Sequence, residues 1–586
     1  MSADYTPTDL ENQGIAGPNK LRELLTTCED PIDAIKSFQQ SNSIQLPTLN
    51  PALKLLDLHG VRRFEYHEIV LNEVTERLLI RLRSLGEAND KKSQKLLEQQ
   101  LEKSFALYRV PQIRPVVLEA LKQLPKVPDR YLKVILADPE FYKSCSVKVR
   151  QQIWLKNDAL FVAAVEPLLD AYVSKKEKML RNVDCGGMAT FFVSETTKAR
   201  RQWTEIQQLI SIVGERESLY DRLLQVMRER FIQSRNVHYC SLRLELIMAA
   251  HDLNTDALVK LDPCHDFAWC LDACVRDKHL DAQQAQKLKT ILDSNRKGAE
   301  QIWGDLSMIA ADPHVVHFIS SLAVKVLKDS AMNGHLPRDL LQMQLLLRLL
   351  SLGATTWAIL KEEQVGEPAV DSIILTKFLA DFMLLSVEDV CRLELQRAPD
   401  EVLDEYSASD FLSGATEALQ NFVKSDLCCA WIWLHYSLDM FPGKKRVGDR
   451  AGLLRYLSLF ANCKDRIGYS DPWLHLTVSK LIQGNPLDSL LANEMTAAAL
   501  LDDFLLKGID AQPGVKFHIL RLINFLHHSI GETKSRSILE LLRPDVLFPD
   551  LNDEQRPAFD EYTAVYAKVV QKIEVGRSPD AKIDAT

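Results

Sequence analysis

Residues 262–274 read DPCHDFAWCLDAC, and the reading of this stretch decides between a zinc module, a thiol enzyme and the inside of a helical protein. Wound as a helix from Asp266, it places Phe267, Cys270, Leu271 and Cys274 at i, i+3, i+4 and i+7. Asp272 and Arg276 then fall on the opposite side, and Trp269 stands roughly opposite Phe267 and Cys274, which predicts a helix covered on two sides. On the apolar stripe a free cysteine behaves as a small hydrophobe. A structural zinc site wants two closely spaced ligand pairs on turns, and Cys270-x₃-Cys274 beside Cys264 and His265 supplies neither. A nucleophilic thiolate wants an electropositive setting, whereas Asp262, Asp266 and Asp272 make this one acidic even with His238 and Cys240 nearby in sequence. The stretch predicts a core helix with no metal and no cofactor.

The pattern repeats outward. Ile206, Leu209, Ile210 and Val213 share one helical face, as do Leu219, Leu223, Val226 and Met227, with Arg222, Gln225 and Glu229 on other faces. Leu242, Leu246, Ala249 and Leu253 continue it. Prolines punctuate these runs at Asp30-Pro31, residues 124–128 (LPKVP), Asp138-Pro139, Leu336-Pro337 and Pro513-Gly514, where a first helical turn tolerates them. With only 22 glycines and 24 prolines in 586 residues, there is little turn chemistry for a β protein. The class is all-α. No strict repeat period is present, so degenerate HEAT-like pairs of about 40 residues fit best, stacked as an elongated scaffold. The organisation expected is a disordered tail at 1–18, a helical region at 19–181, central repeats at 197–360, a helical segment at 372–396, an acidic linker at 397–410, a C-terminal HEAT-like region at 411–575 and a flexible tail at 576–586.

A net charge of −9 excludes a globally basic nucleic-acid binder. The first residues lack the basic and apolar regions of a secretory signal. The longest apolar run, 340–360, is broken by Gln342, Gln344, Arg348 and Ser351, so no membrane span is expected. Eleven scattered cysteines, an odd number, point to reduced thiols.

Catalytic motifs fail on their own terms. Gly443 and Gly448 have P-loop spacing, but Asp449-Arg450 replaces the lysine and hydroxyl that hold phosphate and magnesium. His67-Glu68 opens like a zincin, yet Leu71 stands at the second histidine. His314 and His317 share a face and read as solvated or capping residues. What remains is basic clusters: Lys175, Lys176 and Lys178, then Lys198, Arg200 and Arg201 beyond a break, with Lys444, Lys445 and Arg446 in a separate loop. Such a cluster on an anionic chain reads as a solvated face or as a phosphate contact; with the family resemblance given below, those first six residues are the candidate contact for nascent RNA.

Several stretches together resemble one family. They are LDLHG (56–60), LEKSFAL (101–107), LPKVP (124–128), RQQIW (150–154), GDLSMI (304–309), LPRDLLQMQLLLRLLSLG (336–353) and FHILRLINFLHH (517–528). The most specific are RNVHYCSLRLELIM (235–248) and DPCHDFAWCLDACVRD (262–277). They are similar to the B subunit of the negative elongation factor, over roughly residues 20–545. The resemblance implies a non-enzymatic HEAT-like scaffold in the nucleus. It would bridge the C and E subunits, with the A subunit reached indirectly, in a complex that holds RNA polymerase II paused with DSIF and contacts nascent RNA. A generic α-solenoid adaptor for transport or trafficking is the alternative.

Overall fold

The structure, a computed structural model, describes residues 63–88, 90–181, 190–192, 199–253, 255–295, 300–364, 366–395, 417–440, 471–481, 513–548 and 556–575, with a few positions between 27 and 37. The Asp30-Pro31 cap, the 56–60 stretch, the 397–410 linker, Lys198 and the 443–450 loop lie outside the described residues. Among the described residues all regular structure is helical, as the periodicity predicts. The chain divides into two compact units, Met1–Asp158 and Ala159–Thr586.

The first unit contains α1 (Arg63–Ala88), α2 (Lys91–Phe105), α3 (Arg114–Gln123), α4 (Asp129–Ala137), α5 (Pro139–Ser144) and α6 (Val147–Trp154). Helices α1, α2 and α3 pack on one another, burying Leu97, Leu101, Val116, Val117 and Leu121. The predicted proline corners form. Pro128 caps α4, and Asp138 accepts the Phe141 N–H at 3.1 Å to start α5 on Pro139. Ring pairs Phe105–Tyr131 (4.5 Å) and Tyr108–Phe141 (4.6 Å) fill the space between these short helices.

The second unit begins with α7 (Asp158–Arg181) and the 3₁₀ turn Thr190–Phe192. It continues through α8 (Thr204–Val213), α9 (Glu217–Ser234), α10 (His238–Asp252), α11 (Asp256–Leu261), α12 (His265–Asp277), α13 (Ala282–Asn295), α14 (Glu300–Ala310) and α15 (Pro313–Met332). Next come α16 (Leu341–Ala354), α17 (Thr356–Leu360), a π turn at Ile374–Phe378 and α18 (Leu379–Leu395). The last are α19 (Glu417–Ser425), α20 (Leu427–Met440), α21 (Asp471–Leu481), α22 (Pro513–Ile530), α23 (Glu532–Leu541), α24 (Pro544–Leu547) and α25 (Arg556–Val575).

Two helices organise this unit. Helix α10 packs against α8, α9, α11, α12 and α14, and α15 packs against α12, α14, α16, α18 and α20. Helix α16 reaches the end of α14 closely because Gly353 has no side chain: a Cβ there would stand 2.7 Å from the Ala310 carbonyl oxygen. No single described helix is long and apolar enough to cross a membrane. The α14–α15 pair approaches that composition but is bent by 67°, and it forms core.

The helix read from residues 262–274 is present as α12, and Phe267, Cys270, Leu271 and Cys274 are all buried in the apolar core. Two details differ. Asp272 is buried rather than solvent-facing, and Trp269 is 37% exposed, packed on the His251 ring at 4.2 Å. The second side of α12 is therefore an aromatic edge at the surface, where the His251 ring covers one face of the indole. Leu253 is likewise exposed, one residue beyond the helix whose other stripe positions are buried.

Candidate functional site

The segment before α10 sets its register. Arg235 takes a left-handed conformation (φ 54°) to end α9, and the Asn236 side chain accepts the His238 N–H at 3.0 Å. From His238 to Ala250 every residue of α10 is buried, including Arg243 and Glu245. Two positions apart on a helix, they point about 200° apart and so to opposite sides.

On one side, Tyr172 and Lys176 are one turn apart on α7 and both face Glu245. The phenol donates to Glu245 at 2.7 Å and the ammonium at 2.5 Å, while Arg200 Nε stands 3.5 Å away. Asp312, the N-cap of α15, accepts the N–H groups of His314 and Val315 and adds a second buried carboxylate beside Lys176 and Arg200. Phe191, from the 3₁₀ turn, stacks on His314 at 4.7 Å and lies under Arg200 at 5.2 Å.

On the other side, Arg243 Nη2 reaches the two oxygens of Asp262 at 2.8 and 2.9 Å, and its Nε lies 3.7 Å from Asp305. Asp305 also accepts from Arg228 at 3.1 Å. Asp262 further accepts from the Tyr220 hydroxyl at 2.5 Å and from the Cys264 N–H at 2.9 Å. A third pair, Arg201 with Asp272, ties the start of α8 to α12, and Asp252 lies 3.6 Å from Arg201.

Burial and partners act against each other here. Burial lowers Lys176 to about 8 although Glu245 favours its charge. Burial also opposes the Arg243 charge, but Asp262 and Asp305 hold that guanidinium well above its usual range. Burial would raise Asp262; Arg243 outweighs it, and the carboxyl sits below its usual 3.8. Asp305 and Asp312 are raised by burial, which their cations only partly offset. His314 is pushed well below 6.5 by burial and by the charges of Arg200 and Lys176, so its imidazole is neutral.

These groups form a charge-balanced internal network that joins α7, α9, α10, α12, α14 and α15. Its members face each other across the helices. Among the described residues no three His, Cys, Asp or Glu side chains are placed to hold a metal ion. Burial pushes the thiols of Cys240 and Cys264 well up. Cys274 hydrogen-bonds Cys270, which lowers Cys270 and raises Cys274.

The expected RNA island does not form as one surface. Lys176, Arg200 and Arg201 are buried and committed to Glu245 and Asp272, because α7 and the Arg200 segment turn these side chains inward onto α10 and α12. Lys175 is half-buried, pairs with Glu205 at 3.2 Å and lies over Trp203. Lys178 is exposed, and Lys198 is outside the described residues. His314 is likewise buried rather than solvated, and His317 faces His435 at 3.0 Å. Sequence reasoning missed the network itself. Its signal was present in the string LRLEL, where Arg243 and Glu245 interrupt a run of leucines in a helix with almost no polar face.

Helices packed around a buried ionic network, with no strand among the described residues, define an all-α protein of helical-repeat class. A family profile described as Cofactor of BRCA1 matches residues 111–462. The Negative elongation factor B of Drosophila melanogaster is 37% identical over 538 residues, spanning 92% of this chain and 89% of that protein. Those of Mus musculus and Homo sapiens are each 37% identical over 540 residues, spanning 91% of this chain and 90% of theirs. The chain belongs to the negative elongation factor B family.

Proposed function

We propose that this chain is a non-catalytic nuclear scaffold subunit of a negative elongation factor complex. In this reading it bridges the C and E subunits, with the A subunit reached through them, so that the assembly holds RNA polymerase II paused together with DSIF. The observation that carries the reading is the similarity to Negative elongation factor B along about nine-tenths of both chains. The all-helical stack supports it, since such folds present long surfaces to several partners at once. Any contact with nascent RNA falls in this reading to Lys175, Lys178 and Lys198 rather than to the buried Lys176, Arg200 and Arg201.

The test is purification of the tagged full-length chain from nuclear extract, with promoter-proximal polymerase density measured after its depletion. Recovery of the C and E subunits and loss of paused polymerase are expected. A chain recovered alone, or depletion that leaves pausing unchanged, refutes the reading.

A further inference from the structure

Within the ionic network lies a cavity of about 20 Å³. Leu244 and Val275 form its apolar wall, and Arg201, Glu245, Asp272, Asp312 and His314 its polar wall. The volume exceeds the about 10–15 Å³ that one water molecule needs, and the lining is polar enough to hold one.

Two of the lining side chains carry hydrogen-bonding capacity of opposite kinds that the protein does not use. Arg200 Nη2 stands 3.5 Å from His314 Nδ1. A guanidinium only donates, so Nδ1 is the accepting nitrogen. The ring is held neutral by burial and by Arg200 and Lys176, which places its single proton on Nε2. That Nε2–H is buried and has no hydrogen-bond partner among the described residues. On the facing helix, Asp272 receives Arg201 on Oδ1, while its Oδ2 accepts no hydrogen bond among the described residues. The donor belongs to α15 and the acceptor to α12, two helices that pack on each other. Buried polar groups are nearly always paired, with protein or with ordered water.

We propose that one water molecule occupies this cavity, accepting from His314 Nε2–H and donating to Asp272, and so joins α15 to α12. The pairing of a donor with an acceptor selects the ligand. A metal ion cannot accept a hydrogen bond from Nε2–H, and a halide cannot donate one to a carboxylate. Water does both, and its second proton has Glu245 and Asp312 in the same lining. Such a water is a structural member of the network, held between neutral imidazole and carboxylate.

The test uses the full-length chain, deuterated and carrying isotopically labelled histidine nitrogens, at neutral pH. Rotating-frame magnetisation transfer is read from water to the imidazole N–H protons, and the His314 signal is assigned by its loss in His314→Gln. A protonated Nε2, an unprotonated Nδ1 and a water cross-peak with the sign of dipolar transfer rather than proton exchange are expected. Val275→Leu, which extends a side chain at the cavity wall, should abolish the cross-peak while the Nε2–H signal remains. A proton on Nδ1, an Nε2–H without a water cross-peak, or a cross-peak unchanged in Val275→Leu overturns the proposal. If either variant fails to fold, a crystal structure of the parent chain decides. A single solvent peak within about 2.5–3.2 Å of both His314 Nε2 and Asp272 Oδ2 supports it, and a cavity without one overturns it.

Discussion

Replacing Glu245 by Gln tests whether the internal network is held by charge or merely by shape. The cluster beside Glu245 holds two cations, Lys176 and Arg200, and two anions, Glu245 and Asp312. Glutamine keeps the size and a hydrogen-bonding oxygen but leaves two cations facing one anion. At about 4 Å and an effective dielectric of about 20, one unit-charge interaction is worth about 4 kcal/mol. Lys176 and Arg200 are 0% and 1% exposed, so water cannot replace what is lost. Breaking a buried pair from one side costs about 3–5 kcal/mol. Adding Lys176→Met restores parity at one cation and one anion, so the double variant should recover much of that loss.

Hydrogen exchange of the α7 and α10 amides in the full-length chain is the appropriate assay, because a chain of two compact units has no single unfolding free energy. Glu245→Gln should lower α10 protection by about two to three and a half powers of ten, the rate equivalent of that energy. The double variant should lie well above the sum of the two single losses. Protection within about threefold of the parent, or strict additivity in the double variant, would refute charge parity as the organising constraint.

On the far side of α10, Asp262→Asn should destabilise at pH 7 because Arg243 loses its closest partner. The folded-state pKa of Asp262 is depressed, so its stabilisation is complete above the ordinary 3.8 and is lost as pH falls through the folded value. The gap between parent and variant in pH-dependent melts should therefore close in acid; a gap that widens there contradicts the assignment. Cys270→Ser should destabilise by about 1–3 kcal/mol by burying a hydroxyl, with substoichiometric zinc in parent and variant by elemental analysis; stoichiometric zinc lost with Cys264, Cys270 and Cys274 overturns this. Gly353→Ala should cost about 1–3 kcal/mol, read as lost hydrogen-exchange protection of the α14 and α16 amides, since its Cβ meets the Ala310 backbone at 2.7 Å. Gly304→Ala should cost less, because it meets only the movable Leu360 side chain. Lys178→Glu should weaken RNA binding by the assembled complex and flatten its salt slope by about 0.7; unchanged affinity and slope leave Lys178 an ordinary solvated lysine.

Helix identity was legible because it depends on apolar spacing alone. The stripes at Ile206–Val213, Leu219–Met227 and Phe267–Cys274 are buried where the 3.6-residue period puts them. The direction of charged side chains was not legible, since a lysine at a given helical angle is solvated or buried according to what packs above it. Lys178 is exposed and Lys175 half-buried against Glu205 and Trp203, while Lys176 between them meets Glu245, 69 residues away in sequence. Arg201 and Asp272 are 71 residues apart, and each alone reads as an ordinary solvated charge. Only a helix such as α10, apolar on all sides around Arg243 and Glu245, marks buried charge within a single segment.

The most specific stretches of the resemblance, together with GDLSMI, contain five of the buried charges. Residues 235–248 supply Arg243 and Glu245, 262–277 supply Asp262 and Asp272, and 304–309 supply Asp305. A buried apolar side chain tolerates a similar replacement at a cost below about 1.5 kcal/mol, whereas one member of a balanced ionic set cannot change without stranding its partners at about 3–5 kcal/mol. The same burial removes those residues from partner contact. Contacts with other molecules in the scaffold reading therefore fall to surfaces that the ionic core only positions.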